Sequence, residues 1–381
     1  MNHSSYPDLN RLRAVFPVTD RCAYLNHAAI APLSDPVREA MQAYLAHRAE
    51  WHEANPYGDV STDLRAALAS LVNAAPEEIA FVQNTSQGLN VIANALPLQP
   101  GDNVVYCDME FPSNVYPWMN LEYRGIEARC IPHDSGGLTV DALDASGDAS
   151  TRVVAVSSVE FLTGFRTDLA AIAEWCRRHR AYFVVDAIQS LGVLPMDVQA
   201  AGIDFLSCGG PKWLMGPAGQ GFIYVRSALL DDLRPPFAGC ISVSGWEDWR
   251  DYDLTFLPDA CRFELGCANV VGQVGLLAAV QLLLDVGIDA VGRWTLHLTD
   301  RLIQDLQSRG YPIVSNLAPE RRSAIVSFRV PGGVGQALER LTAENVVVAR
   351  REELIRVSPH GYNTEKEILR VGEVLGRAQA N

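Results

Sequence analysis

Residues 182–190 read Tyr182-Phe183-Val184-Val185-Asp186-Ala187-Ile188-Gln189-Ser190. One strand–helix unit later the chain reads Ser207-Cys208-Gly209-Gly210-Pro211-Lys212-Trp213-Leu214-Met215-Gly216-Pro217. The first stretch is an apolar run of strand length that stops at a carboxylate, as a buried parallel strand would. The crevice outside the carboxyl ends of such strands is where α/β sheets bind ligands. As a strand-end residue alone, Asp186 reads equally well as a helix N-cap. Lys212 shifts that balance. Lysine is ordinarily solvated, yet Gly209, Gly210, Trp213, Leu214 and Met215 would strip water from its amine. Desolvation lowers an amine's pKa and makes it nucleophilic toward carbonyls. A strand-end acid followed by a desolvated lysine suits pyridoxal 5′-phosphate (PLP): the lysine forms a Schiff base and the acid keeps the pyridinium nitrogen protonated.

Outward from this segment, short apolar runs at 79–82, 103–107, 153–157, 205–207 and 221–225 predict further buried strands. Apolar residues at i, i+3, i+4 spacing predict helices over 36–48, 62–72, 86–95 and 169–178. Strands alternating with helices imply βαβ units and a mainly parallel sheet covered on both faces. The pattern changes after about residue 255. Long helical patterns at 270–284 and 288–308 precede candidate strands at 324–330, 346–349 and 354–357 and a closing helix after Thr364. The expected organisation is therefore a large α/β domain over 17–255 and a smaller α+β domain over 256–381, with the arm 1–16 docked on the latter.

The 381 residues carry 31 Lys+Arg and 45 Asp+Glu, a net charge of −14. That balance argues against a general nucleic-acid binder, because no basic face is evident. Eight scattered cysteines without a CxxC pair predict reduced thiols, and the eight histidines show no metal-ligand spacing. No apolar signal core or bilayer-length run is present, so a cytoplasmic protein that does not engage membranes is expected.

The whole chain, from Tyr24-Leu25-Asn26-His27-Ala28-Ala29 to Arg356-Val357-Ser358-Pro359-His360-Gly361-Tyr362-Asn363-Thr364, resembles the class V aminotransferase group of fold-type I PLP enzymes. That group includes cysteine desulfurases, kynureninases and isopenicillin-N-epimerase-like proteins. The resemblance implies Lys212 as the Schiff-base lysine, Asp186 as the pyridinium partner and Gln189 as a donor to the ring oxygen. It implies Thr85 and Ser86 as phosphate ligands at a helix N-terminus, with Ser207 as a further cofactor contact. Phe111 takes the place of the residue stacked on the ring. Arg356 matches the clamp on the substrate α-carboxylate, while Asn26, His27 and His360 lie in motifs brought near the substrate. Asn269, in the Arg262–Asn269 loop, corresponds to a residue reaching the other subunit's phosphate, so a homodimer with shared active sites is implied. No metal site is expected.

Several positions depart from the group. No cysteine follows Cys267, whereas desulfurases carry a nucleophilic cysteine shortly before the arginine motif. Phe111 replaces a histidine, Gly209 and Pro211 replace a serine and a histidine, Cys267 replaces a threonine, and Phe161 replaces an asparagine. The expected activity is aminotransferase-type chemistry on a small amino acid. The alternatives are β-elimination by a C–S lyase, epimerisation, kynureninase-like hydrolysis and a non-catalytic PLP-binding role. A persulfide-relaying desulfurase is disfavoured. Trp246, Trp249 and Tyr252 are expected to pack in the core or at an interface, with the lining of a substrate entrance or a dimer contact as the alternative.

Overall fold

A computed structural model describes residues 7–50, 59–248, 250 and 252–376. The first six residues of the arm, Trp249 and the last five residues lie outside the described set. The centre is a seven-stranded sheet. Its spatial order is Ile79–Val82, Gly221–Val225, Phe205–Gly209, Tyr182–Asp186, Thr151–Ser157, Asn103–Cys107 and Glu127–Ile131. Only Gly221–Val225 runs antiparallel to the others. Alternate residues feed two separate cores: Val105, Val154, Val185 and Leu206 on one face, Val104, Val153, Val184 and Phe205 on the other. The strand-wide apolar runs follow from this two-sided burial.

Glu127–Ile131 is the sheet edge, and its first four positions are exposed or half-buried, with only Ile131 buried. It therefore carries no apolar run, and the sequence reading misses it. The expected strand 346–349 is two strands. Val346–Val347 pairs in parallel with Ala23–Tyr24, and Ala349–Arg351 pairs antiparallel with Leu354–Val357, which also pairs with Val326–Phe328. The break lets the chain leave one partner and turn toward the other. Helix Val270–Val286 packs on helices Asp35–Glu50 and Val60–Val72. Helix Pro7–Ala14 approaches the C-terminal region through Arg13, whose Nη1 donates to the Tyr362 carbonyl at 2.9 Å and pairs with Glu367. Among the described residues, no single helix is long and apolar enough to cross a membrane.

Helix Thr85–Ala95 lies directly on the sheet because Gly88 has no side chain. A Cβ there would sit 2.2 Å from Ser207 Oγ and 2.6 Å from Ile223 Cγ2. Gly88→Ala is expected to lift this helix, costing about 1–3 kcal/mol of stability and weakening PLP binding at its N-terminus. Thermal denaturation and a PLP titration read the two effects.

Candidate active site

Strands Thr151–Ser157, Tyr182–Asp186 and Phe205–Gly209 end on the same edge of the sheet, with Ser157 beside Asp186 and Asp186 beside Ser207. A cavity of about 340 Å³ opens above this edge. Asn84, Thr85 and Ser86 bring a helix N-terminus to it, and Phe111 and Phe161 form an aromatic wall. Their rings meet edge to face at 5.1 Å. Asp186, Gln189 and Lys212 line the sheet side, and Arg351 and Arg356 enter from the C-terminal hairpin.

Asp186 is 1% exposed. Its Oδ1 accepts from the Ile188 amide at 2.9 Å, while Oδ2 is buried without a partner. Burial pushes its pKa up to about 6 against the opposing pull of the Ile188 N–H and Lys212. Burial also lowers the Lys212 amine to about 8; Asp186 resists that shift, and Arg356 and Arg351 add to it. Lys212 Nζ lies 5.7 Å from the centre of the Phe111 ring. Arg356 is 1% exposed and donates from Nη1 to the Phe161 carbonyl at 2.6 Å; its Nε and Nη2 are buried and unpaired. With no carboxylate against it among the described residues, burial and then the nearby Arg351 lower its pKa to about 9.

These residues fit PLP. The orphan oxygen of Asp186 is suited to a protonated ring nitrogen, which would supply the missing donor. The helix start at Asn84–Ser86 offers amides and hydroxyls to a phosphate, and Lys212 offers an amine to the aldehyde. Gly209 completes the cradle: a Cβ there would stand 3.3 Å from Thr85 Oγ1. Gln189 lines the same wall with its orientation fixed. Its Oε1 accepts from Trp213 Nε1 at 2.9 Å, and its Nε2 donates one hydrogen to the Ala28 carbonyl at 3.0 Å.

Other expected contacts lie elsewhere. Ser207 shares the strand face of Phe205, so it points under helix Thr85–Ala95 and donates to the Thr85 carbonyl at 3.1 Å. It supports the phosphate turn and does not line the cavity. Asn269 caps helix Val270–Val286: its Oδ1 accepts from the Gly272 amide and its Nδ2 donates to the Gly219 carbonyl. Both ends of its amide are therefore used within its own chain, outside the cavity.

His27 and His360 are fully buried behind the cavity wall. His27 Nδ1 donates to the Ser358 carbonyl at 3.1 Å, leaving Nε2 to accept from the Tyr362 hydroxyl at 2.8 Å. His360 Nδ1 accepts from the Gly361 amide, so Nε2 carries the hydrogen and donates to the Trp213 carbonyl at 3.1 Å. Burial lowers His27 well below the ordinary range and His360 to about 4, keeping both neutral. They are structural, and His360 positions the peptide that follows Lys212. Gly192 guards that peptide from the other side: at φ +105°, a Cβ would lie 2.3 Å from the Trp213 carbonyl oxygen. Asn26 forms a parallel bridge to Ser358 and does not line the cavity, whereas Ala28 and Ala29 do.

Three charged residues escape the sequence reading. Arg351 joins Arg356 on the wall, a placement encoded in hairpin register. Glu110 and Glu160 are buried near Asp186. Glu110 accepts from the Ser157 amide and hydroxyl and from Asn114 Nδ2, whereas Glu160 Oε2 has no partner. Burial raises Glu110 to about 7 and Glu160 well above the carboxylate range. Read in sequence, each is an acid in a loop after a strand, with no spacing that marks it.

The sequence profile described as aminotransferase class-V matches residues 23–371. The chain belongs to this family. This class-V enzyme is similar to a probable cysteine desulfurase of Methanothermobacter thermautotrophicus, 29% identical, with 96% of each chain covered. It superposes on the apo cysteine desulfurase of Thermococcus onnurineus NA1 with TM-score 0.87 and 26% identity, covering 97% of each chain. A mutant of C-DES with glycine covalently linked to its PLP cofactor gives TM-score 0.88 and 25% identity, covering 96% of this chain and 98% of that one. C-DES is described as a cystine C–S lyase and has also been solved with its reaction product, cysteine persulfide.

The fold is therefore that of fold-type I PLP enzymes, and the class-V chain is a PLP-dependent enzyme. The aminotransferase expectation, and with it the disfavouring of desulfurase chemistry, is overturned by these relatives, which are named for breaking a C–S bond. The absence of cysteine after Cys267 misled that reading. A relay cysteine governs where the sulfur goes, whereas cleavage of the bond depends on chemistry at the substrate carbons.

Proposed function

We propose that this protein is a PLP-dependent C–S lyase that carries out β-elimination on a cysteine-type amino acid such as cystine. The observation that carries the amino-acid reading is Arg356, a buried guanidinium with two unpaired donors beside Lys212. A carboxylate satisfies that planar fork with two charge-assisted hydrogen bonds. The relatives' names support the sulfur chemistry. When bound, PLP supplies an electron sink for negative charge at the substrate Cα. Arg356 Nε and Nη2 hold the α-carboxylate. Lys212 Nζ, in its neutral form, takes the Cα proton, and its lowered pKa keeps a working fraction unprotonated near neutral pH. Asp186 keeps its carboxylate toward the ring nitrogen. Phe111 and Phe161 present an apolar face to one side of the site.

With cystine and one water, the products are pyruvate, ammonia and cysteine persulfide, and no external oxidant is needed. The test supplies the PLP-loaded protein with cystine or cysteine in the absence of a keto acid and follows pyruvate, ammonia and reduced sulfur. Stoichiometric pyruvate and ammonia are expected. Alanine in place of pyruvate, or turnover that requires a keto-acid acceptor, would refute elimination. A homodimer belongs to the same proposal, supported by exposed apolar side chains such as Phe237, Leu254 and Leu265 on the long loop before helix Val270–Val286.

A further inference from the structure

Glu110 and Glu160 do not line the cavity, yet each immediately precedes one ring of its aromatic wall, Phe111 and Phe161. The two acids follow neighbouring strands and cross over. Glu110, after strand Asn103–Cys107, reaches the end of the next strand, accepting from the Ser157 amide at 2.5 Å and the Ser157 hydroxyl at 2.6 Å. Glu160, after strand Thr151–Ser157, reaches back: its Oε1 accepts from Cys107 Sγ at 3.6 Å. Each turn is thereby tied to the other's strand. Phe161 also supplies the carbonyl that holds Arg356 Nη1 at 2.6 Å.

The two acids are 7% and 1% exposed, and one oxygen from each lies within 4.8 Å of the other. Two buried carboxylates so close cannot both stay ionised. Their partners differ. Glu110 has three donors, the two on Ser157 and Asn114 Nδ2 at 3.0 Å, which favour its charged form. Glu160 has only the weak thiol donor, and its Oε2 is buried without a partner among the described residues. The titratable groups facing the pair are Cys107, Asp108 and Asp186, of which Asp108 is paired with His133 at 2.8 Å. Asp108 and Asp186 both oppose a second negative charge at Glu160.

We propose that Glu110 and Glu160 are positioning residues that share one proton, carried on Glu160 Oε2, and that this singly charged pair fixes the Phe111–Phe161 wall against which PLP binds. The charge stays on Glu110, where three donors hold it. Burial, which raises Glu110 to about 7 and Glu160 well above the carboxylate range, agrees with one proton remaining at neutral pH. Losing that proton would set two buried charges against each other between the turns that carry the rings.

Infrared spectroscopy of the PLP-loaded protein at about pH 8, where ordinary carboxyls are ionised, tests for the proton. The carbonyl band of a protonated carboxylic acid, shifted in D2O, is expected in the wild type and absent from Glu160→Gln. A missing band in the wild type, or one that survives in Glu160→Gln, would overturn the proposal. PLP titration reads the wall. Glu110→Gln turns an amide against converging donors and removes the charge, so PLP should bind about tenfold more weakly. Glu160→Ala should lose about as much. Glu160→Gln keeps the shape and neutrality of the acid and should restore binding to within about threefold of wild type. Equal losses in the two glutamine variants would show that Glu160 acts as an ionised group and overturn the shared proton. Circular dichroism and thermal denaturation verify that the variants are folded. Neither readout uses turnover, so the outcome is independent of the C–S lyase reading.

Discussion

Lys212→Ala is expected to reduce turnover by about 10,000-fold or more, because it removes both the proton acceptor and the amine that anchors the cofactor. The visible absorbance of covalently held PLP should be lost with it, whereas the fold should persist. The amine of half-buried Lys212 has its pKa lowered from 10.5 to about 8, so the folded protein holds this proton less tightly than the unfolded chain. The sign follows by linkage. The penalty is fully present below about pH 8 and disappears as pH rises to 10.5. Cofactor-free wild type should therefore gain stability across that window, and Lys212→Ala should lack that part of the slope and melt no lower near pH 7. Activity should rise with pH through about 8 as the base becomes neutral. A Lys212→Ala variant that retained turnover within tenfold would remove Lys212 from the mechanism, and a pH-independent kcat between 6 and 9 would remove its role as base.

Legibility of this site in the sequence tracks burial and chain direction. Strand Tyr182–Asp186 and the lysine loop announce themselves because a two-sided buried strand must be continuously apolar. Ionisable residues at its end are then conspicuous. The same logic fails for Glu127–Ile131, an exposed edge. It also fails for His27 and His360, which stand in the motifs expected of substrate contacts but are turned inward by bonds to the Ser358 and Trp213 carbonyls. Ser207 shows a subtler limit. Its position in the strand is correctly placed, yet the two-residue alternation sends its hydroxyl beneath helix Thr85–Ala95. Arg351 was hidden for a related reason: only the register of Ala349–Arg351 against Leu354–Val357 reveals that it shares a face with Arg356. The reaction was least legible of all. Transamination and elimination share the lysine, the acid and the arginine, and sequence places no residue that separates them.

Asp186→Asn is expected to lower kcat by about 1,000-fold, at the upper end of what removing one aimed electrostatic group costs. The substitution is close to isosteric and keeps an oxygen able to accept from the Ile188 amide, so the change isolates charge from shape. The buried oxygen without a partner, Oδ2, becomes an amide nitrogen. An amide there can donate to a ring nitrogen but cannot keep it protonated, so the bound cofactor withdraws electrons less strongly. Stability should move the other way. Burial raises the Asp186 pKa from 3.8 to about 6, so in the cofactor-free protein the ionised carboxylate is a liability. That cost is absent below about pH 3.8, grows up to about pH 6 and is complete above it. Cofactor-free Asp186→Asn should therefore equal or exceed the wild type in thermal stability at pH 7, with the advantage shrinking toward pH 4. PLP should bind the variant more weakly, since the protonated ring nitrogen loses its counter-charge. Loss of catalysis together with a gain in apo stability separates a charge committed to function from one committed to folding. A fall in both, or kcat within tenfold of wild type, would place Asp186 among the structural caps.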